Sequence, residues 1–309
     1  MNAVVFDSPS MVGRFAFVLA FAALCGPSTA LAGPLLGTAE AFAVLGGTEV
    51  TNAHVASNPN TTIYGSVGVY AGSSITGFPP ATVTGGTTHG PDGVSQQAQA
   101  DQKKAYQNLA ALQVTKNLTG QDLGTLGTPL KPGVYRFDSS AQLTGALTLD
   151  FEGNPDALFV FQVVSALTTA SSSTVLITNG QPSDGVYWQV GSTATLGADT
   201  LFAGNILALT SVILDPRAEI LCGRAFAQTA EVTLIDNKIS NNCSQESFGS
   251  SRNDFGSIGF SGAGLEFDTF GNVVDTTTGT VVAAVVPVPG TLALFGFGLA
   301  GLFGFARRR

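Results

Sequence analysis

From Phe42 onward the chain alternates apolar and small polar residues in short runs, and glycine or proline ends each run early. Phe42-Ala43-Val44-Leu45 stops at Gly46-Gly47. Thr62 to Val69 alternates with small residues, and Ala81-Thr82-Val83-Thr84 follows the turn sequence Ile75-Thr76-Gly77-Phe78-Pro79-Pro80. A period of two over runs this short predicts strands buried on one side only. Val94 to Asn117 has a different character. It holds no Gly or Pro, is rich in Ala, Gln, Lys and Leu, and spaces Ala98, Ala105, Leu109 and Leu112 near helical intervals, with Tyr106 close by. The spacing predicts one helix over about 94–117. Its apolar stripe is narrow, which suits a helix lying against the side of another structure.

After Pro129 the strands return. Gly133-Val134-Tyr135-Arg136-Phe137 alternates, and a loose repeat follows: Leu143 to Leu149, Leu167 to Ile177, Ala194 to Phe202, Leu209 to Leu214 and Thr229 to Leu234. Repeats at uneven intervals of about 15–27 residues predict an irregular solenoid, a β-helix. The chain is therefore expected to be all-β with one helix. Thr alternating with apolar residues places one set inward and lines the other side with Thr, and stacked coils bring equivalent side chains to about 4.7–4.9 Å. Thr is also a good strand former, so strand propensity alone accounts for the alternation equally well. Phe159, Phe161 and Trp188 are expected in the core or seam.

The two ends differ from the body. Arg14, the apolar run Phe15 to Leu24, and Ala30-Leu31-Ala32 form an export leader over residues 1–32, with translation also able to start at Met11. At the other end, Val286-Pro287-Val288-Pro289 precedes the sixteen-residue apolar stretch Thr291 to Ala306 and the closing Arg307, Arg308 and Arg309. That stretch is marginal for spanning a bilayer, and terminal arginines favour the cytoplasmic side. Residues 244–285, rich in Gly, Ser, Thr and Asn with scattered Phe, are expected to form a flexible stalk with at most a small extra β-element.

Composition narrows the chemistry. The 309 residues carry a net charge of −8 with only 11% charged residues, and thirteen Lys and Arg face 21 Asp and Glu. No basic surplus is left to neutralise phosphates, so no nucleic-acid partner is expected. Ser140 to Ile235 contains no lysine and only Arg217 and Arg224 as basic residues. Asp150, Glu152 and Asp156 flank a Gly153-Asn154-Pro155 turn, and His54 and His89 have no ligand-spaced partners, so neither a metal nor an enzyme active site is expected. Cys222 and Cys243 remain once the leader is removed. In an oxidising compartment they pair and pin the last coil; the alternative is two buried thiols.

Several segments taken together carry a family resemblance. Gly37-Thr38-Ala39-Glu40-Ala41-Phe42-Ala43-Val44-Leu45-Gly46-Gly47, Ile75 to Pro80, Gln96-Gln97-Ala98-Gln99-Ala100-Asp101, Leu118 to Gly124, Leu130-Lys131-Pro132-Gly133-Val134-Tyr135, Ala141 to Gly145, Phe159-Val160-Phe161-Gln162, Val186 to Gly191 and Gly204 to Ala208 occur in that order. They resemble the DUF3494 ice-binding protein family over about 200 residues of residues 33–243. The resemblance implies a β-solenoid of triangular section with the helix packed alongside. It also implies contact with an ice crystal surface through one flat face, without cofactor or catalysis, by a protein expected to act as a monomer. The face, and not a fixed residue list, carries over; its candidates are Thr144, Thr148, Thr168, Thr174, Thr195, Thr200, Thr210, Thr229 and Thr233. The C-terminal layout resembles the PEP-CTERM sorting signal of Gram-negative bacteria, with Val288 where that motif has Glu. It implies an exosortase-type processing partner, transient anchoring and delivery to the cell surface or extracellular matrix. A structural or adhesive protein of a polysaccharide matrix, built on the same scaffold, is the alternative expectation.

Overall fold

The computed structural model describes residues 34–56, 58–243 and 257–286. The leader and all of the sorting segment beyond Val286 lie outside these residues. Within them, short parallel strands wind through three faces, each strand pairing with its equivalent one coil away. One face stacks Ala141–Leu143, Leu167–Thr169, Ala194–Leu196, Val212–Leu214, Val232–Ile235, Glu49–Ala53 and Ser74–Thr76, in that order. We call it the threonine face. The N-terminal strands thus stack beyond the last coil of the C-terminal series, so the solenoid is discontinuous in sequence and continuous in space.

A second, covered face stacks Lys116–Asn117, Gly133–Phe137, Leu158–Val163, Gly185–Val190, the later parts of Leu201–Ala208 and Glu219–Ala227, then Phe42–Gly46, Ser66–Val69 and Thr88–His89. Leu158–Val163 and Gly185–Val190 are buried at every position, because the solenoid interior lies on one side and added elements lie on the other. Inside, Phe161 stacks on Trp188 with ring centroids 3.9 Å apart, and Phe159 meets Phe151 edge-on at 4.9 Å. The third face stacks Ala146–Asp150, Thr174–Thr178, the starts of Leu201–Ala208 and Glu219–Ala227, Lys238–Ser240, Thr62–Tyr64 and Thr82–Thr84. The corner between the threonine face and the third face recurs in successive coils, with Ser172, Asp199, Arg217 and Asp236 all at positive φ. Ser172, Asp199 and Asp236 are short polar residues that tolerate this conformation, while Arg217 is held there by two hydrogen bonds to Asp199.

The helix runs over Gly93–Ala111, shorter than the expected 94–117. It begins at a capping box: Asp92 accepts from the amides of Val94 and Ser95, while Ser95 Oγ accepts from the Asp92 amide. The Ser95 amide, His89 and the other donors at this cap hold the Asp92 carboxyl down at about 2. The helix ends early because Leu112 turns extended and the Thr115 amide donates to Val134 O, after which Lys116–Asn117 pairs with Tyr135 and Arg136. Strand pairing overrides local helical propensity. The helix lies along the stack, with Gln99 Nε2 donating to Gly46 O and Ala227 O near one end and Gln162 Nε2 donating to Leu109 O and Leu112 O near the other.

Within the segment expected to be a stalk with a possible small β-element, residues 257–285 are part of the folded body. Leu265–Phe267, Val273–Asp275 and Val281–Ala283 form an antiparallel sheet, and Phe260, Leu265 and Val273 are buried. The Asn205 amide donates to Phe260 O, and the Tyr187 hydroxyl donates to Ser261 O at 2.5 Å. Arg224, fully buried, donates to Asn205 Oδ1, Glu40 O and Gly259 O, and burial pushes its guanidinium down to about 10. Cys222 and Cys243 form a disulfide with Cα atoms 5.2 Å apart. Glycine-rich composition concealed this element because its buried residues are few and aperiodic.

Candidate functional site

The strands of the threonine face are three to five residues long. In Ala141–Leu143, Leu167–Thr169, Ala194–Leu196 and Val212–Leu214 the two flanking residues are buried and the middle one points outward. The strand register then aligns one outward residue per coil: Gln142 beside Thr168, Thr168 beside Thr195, Thr195 beside Ile213, Ile213 beside Thr233, Thr233 beside Thr51, and Thr51 beside Thr76. Seven coils at about 4.8 Å each give a row roughly 29 Å long. Five of its seven members are Thr, and Ile213 shares the β-branched shape, so most of the row has few χ1 states to lose.

The nine expected threonines separate. Thr168, Thr195 and Thr233 fall in this row. Thr148 and Thr174 lie on the third face, where Thr148 aligns with Leu176, and Thr174 with Ala146 and Leu201. Thr144 is exposed at the corner leading to the third face, its amide donating to Asp122 Oδ1. Thr210 and Thr229 sit at the corner leading from the covered face, where Thr229 Oγ1 donates to Leu209 O at 2.6 Å. Thr200 is fully buried, its Oγ1 2.9 Å from Thr169 Oγ1, and so, contrary to expectation, does not belong to any exposed face. Its place directly before Leu201 resembled the other alternations, but it turns inward at a corner. Thr51 and Thr76 were missed, because only stacking of the N-terminal strands on the last coil brings them beside Thr233.

No titratable side chain stands in the row. Glu49 and Glu231 flank it on one side, two positions from Thr51 and Thr233, and Asp215 flanks it on the other. At the corner beyond, Arg217 binds Asp199 with two hydrogen bonds of 2.7 Å, which hold the Asp199 carboxyl below its ordinary value. Burial would raise Asp122, but hydrogen bonds from Thr144 and Gly124 outweigh it and keep that carboxyl low. The third face differs. Glu219 and Lys238 stand side by side in its middle, 3.6 Å apart, beside exposed Leu201 and a cleft of about 200 Å³ also lined by Arg217 and Asp236.

The carboxylates noted in the sequence have structural partners. Glu152 meets Lys131 at 2.5 Å, and Asp150 takes hydrogen bonds from Asn179 and the Glu152 amide. His54 pairs with Asp236 at 2.7 Å, and His89 with Asp92 at 2.9 Å. Among the described residues no three His, Cys, Asp or Glu side chains are grouped to hold a metal ion. What the threonine face offers is a regular array of methyls and hydroxyls at a fixed spacing.

Comparison with known proteins adds to this geometry. A family model described as ice-binding-like matches residues 44–240, and a model of the PEP-CTERM protein-sorting motif matches residues 285–309. An ice-binding protein of Nostoc sp. (strain HG1) is 52% identical over 233 residues, covering 74% of this chain and 83% of its own. An ice-binding protein of Flammulina populicola is 30% identical over 217 residues, covering 64% of this chain and 84% of its own. Among solved structures, an ice-binding protein from an Antarctic biological consortium aligns with TM-score 0.61 and 38% identity over 67% of this chain and 90% of that one. An ice-binding protein from the Antarctic ascomycete Antarctomyces psychrotrophicus aligns with TM-score 0.61 and 38% identity over 67% and 97%.

Proposed function

The chain belongs to the ice-binding-like family, and on that premise we propose that it is an exported protein that adsorbs to ice through the threonine face. The observation that carries the assignment to this face is the uncharged row Gln142, Thr168, Thr195, Ile213, Thr233, Thr51 and Thr76. Each Thr presents a methyl, against which water orders, and a hydroxyl that anchors it. The coil repeat lies near an ice lattice spacing, so weak contacts add in register. Side chains held by the sheet lose little entropy on docking. The third face is disfavoured by the Glu219–Lys238 pair at its centre. Pressing two ions against a solid surface removes part of their hydration, a cost that reaches several kcal/mol per ion when the loss is complete.

Adsorption needs no proton transfer and no covalent step, so the protein acts without catalysis or cofactor, as a single copy. The sorting motif supports delivery to the cell surface, with the apolar tail held in a membrane until an exosortase-type enzyme processes it. The same motif supports matrix delivery, which keeps an adhesive role in extracellular polysaccharide as the second reading.

An ice-recrystallisation assay on the purified protein separates the two. Wild type should arrest grain growth at micromolar concentration, and Thr195→Tyr should lose most of that activity with its melting temperature nearly unchanged. Grain growth equal to buffer for the wild type, with binding to matrix polysaccharide, would favour the adhesive reading.

A further inference from the structure

The three most exposed large apolar side chains of the described residues, Phe270, Val286 and Val281, gather where the sorting tail leaves the body, and Val282 adjoins them. Phe270 is 80% exposed, Val286 57%, Val281 55% and Val282 39%. All four belong to the C-terminal sheet or the residues that continue it. The turn carrying Phe270 abuts the exit: a carbon added at Gly271 would lie 3.4 Å from Val285 Cγ1, and the Val285 amide donates to Asn272 Oδ1 at 2.8 Å. Two acids of this segment are held by backbone amides of its turns. Asp268 accepts from the amides of Phe270 and Asn272, and Asp275 accepts from those of Thr277 and Thr278.

The chain is held in the fold up to the rim itself. The Gln113 amide donates to Ala284 O at 2.6 Å, Val285 bridges Leu112, and the Val286 amide donates to Ala111 O at 3.1 Å. The sorting motif, matched from residue 285, therefore begins inside the folded body. The apolar run starts at Thr291, and the four residues 287–290 reach at most about 14 Å when fully extended. A free stalk of roughly 40 flexible residues would have a root-mean-square span of about 36 Å. The body is thus tied closely to whatever receives the tail.

We propose that Phe270, Val281, Val282 and Val286 rest on the lipid surface into which the tail inserts, seating the body at a fixed side. This rests on the reading that the tail enters a membrane. Apolar residues beside an anchor gain from burial at the acyl–headgroup boundary, and Phe is suited to that depth. The seat leaves the threonine face free. Residues 260–262 cover Gly185 and Tyr187, at the side of the covered face nearest the third face. The helix covers Gln162 and Gln189, on the side that leads to the threonine face. It therefore stands between the rim and the row. The opposite end of the solenoid, at Thr82–Thr84, is eight strand spacings from Lys116–Asn117 in the stack, about 38 Å.

The test uses the chain without its export leader, residues 33–309, carrying either Phe270→Cys or Thr84→Cys labelled with an environment-sensitive fluorophore, in phosphatidylcholine vesicles containing a lipid-bound quencher. Flotation with the vesicles reports tail insertion. In floated protein, the label at 270 should be quenched several-fold more than the label at 84. A thiol-directed hydrophilic reagent should also modify unlabelled Phe270→Cys several-fold more slowly in vesicles than in detergent, which excludes insertion driven by the dye. Flotation with equal quenching at both positions would overturn the seat while leaving insertion standing. Absence of flotation would remove both, and would register as lost vesicle association rather than an altered quenching pattern. Concentration-dependent dimerisation that shields position 270 without lipid would assign the rim to a second copy and overturn the proposal.

Discussion

Gln102 is fully buried between the helix and the solenoid, and neither its Oε1 nor its Nε2 has a hydrogen-bond partner. Its neighbour along the helix, Gln99, spends its amide on two carbonyls of the sheet. A buried polar group without a partner costs about 1–3 kcal/mol, and replacing it by an apolar residue of similar shape removes that cost. Gln102→Leu should therefore raise the melting temperature by a few degrees in calorimetry, and a fall of similar size would show that the amide is satisfied in solution. At this scale the sequence was informative wherever a residue stood in mid-strand. Thr168, Thr195 and Thr233 were found because two-residue alternation survives in Leu167–Thr169, Ala194–Leu196 and Val232–Ile235. It failed at corners. Thr200 lies among alternating residues in the sequence, yet the turn rotates its hydroxyl onto Thr169 and Ala170 O.

The elements that cover the solenoid depend on each other more than on their own sequences. The helix is marked in the sequence by composition and apolar spacing, but its end is set by the pairing of Lys116–Asn117 with Tyr135 and Arg136, which no local pattern announces. The C-terminal sheet was less legible still, since its stability comes from Phe260, Leu265 and Val273 packing on partners far away in the chain. Arg224 joins three such partners, binding the backbone at Glu40, the side chain of Asn205 and the backbone at Gly259. The disulfide fixes the chain where this covering segment departs. It closes a loop with a sequence separation of 21 residues, worth about 3 kcal/mol through the entropy of the unfolded chain. The double variant Cys222→Ala and Cys243→Ala should melt roughly 10 °C lower than the oxidised wild type. An unchanged melting temperature would mean that the buried Arg224 network holds the segment unaided.

At the level of the whole molecule, one long helix carries the chain back along the stack so that its first strands complete the face begun by its last. The solenoid class was legible in the repeat of Thr and apolar residues. The order of stacking was not, because a register between Thr51 and Thr233 has no signature within either segment. That register lengthens the row by two coils, to seven, and leaves the charged pair of the third face on another flank. The assignment of function to one flank is tested most directly by growing a single ice crystal from a solution of fluorescently labelled protein. Wild type and the third-face variant Thr174→Tyr should enter the growing ice and light defined crystal planes, whereas Thr195→Tyr should be pushed ahead of the front and leave the ice dark. Incorporation of Thr195→Tyr at the wild-type level, with exclusion of Thr174→Tyr, would place the ice contact on the third face and contradict the account.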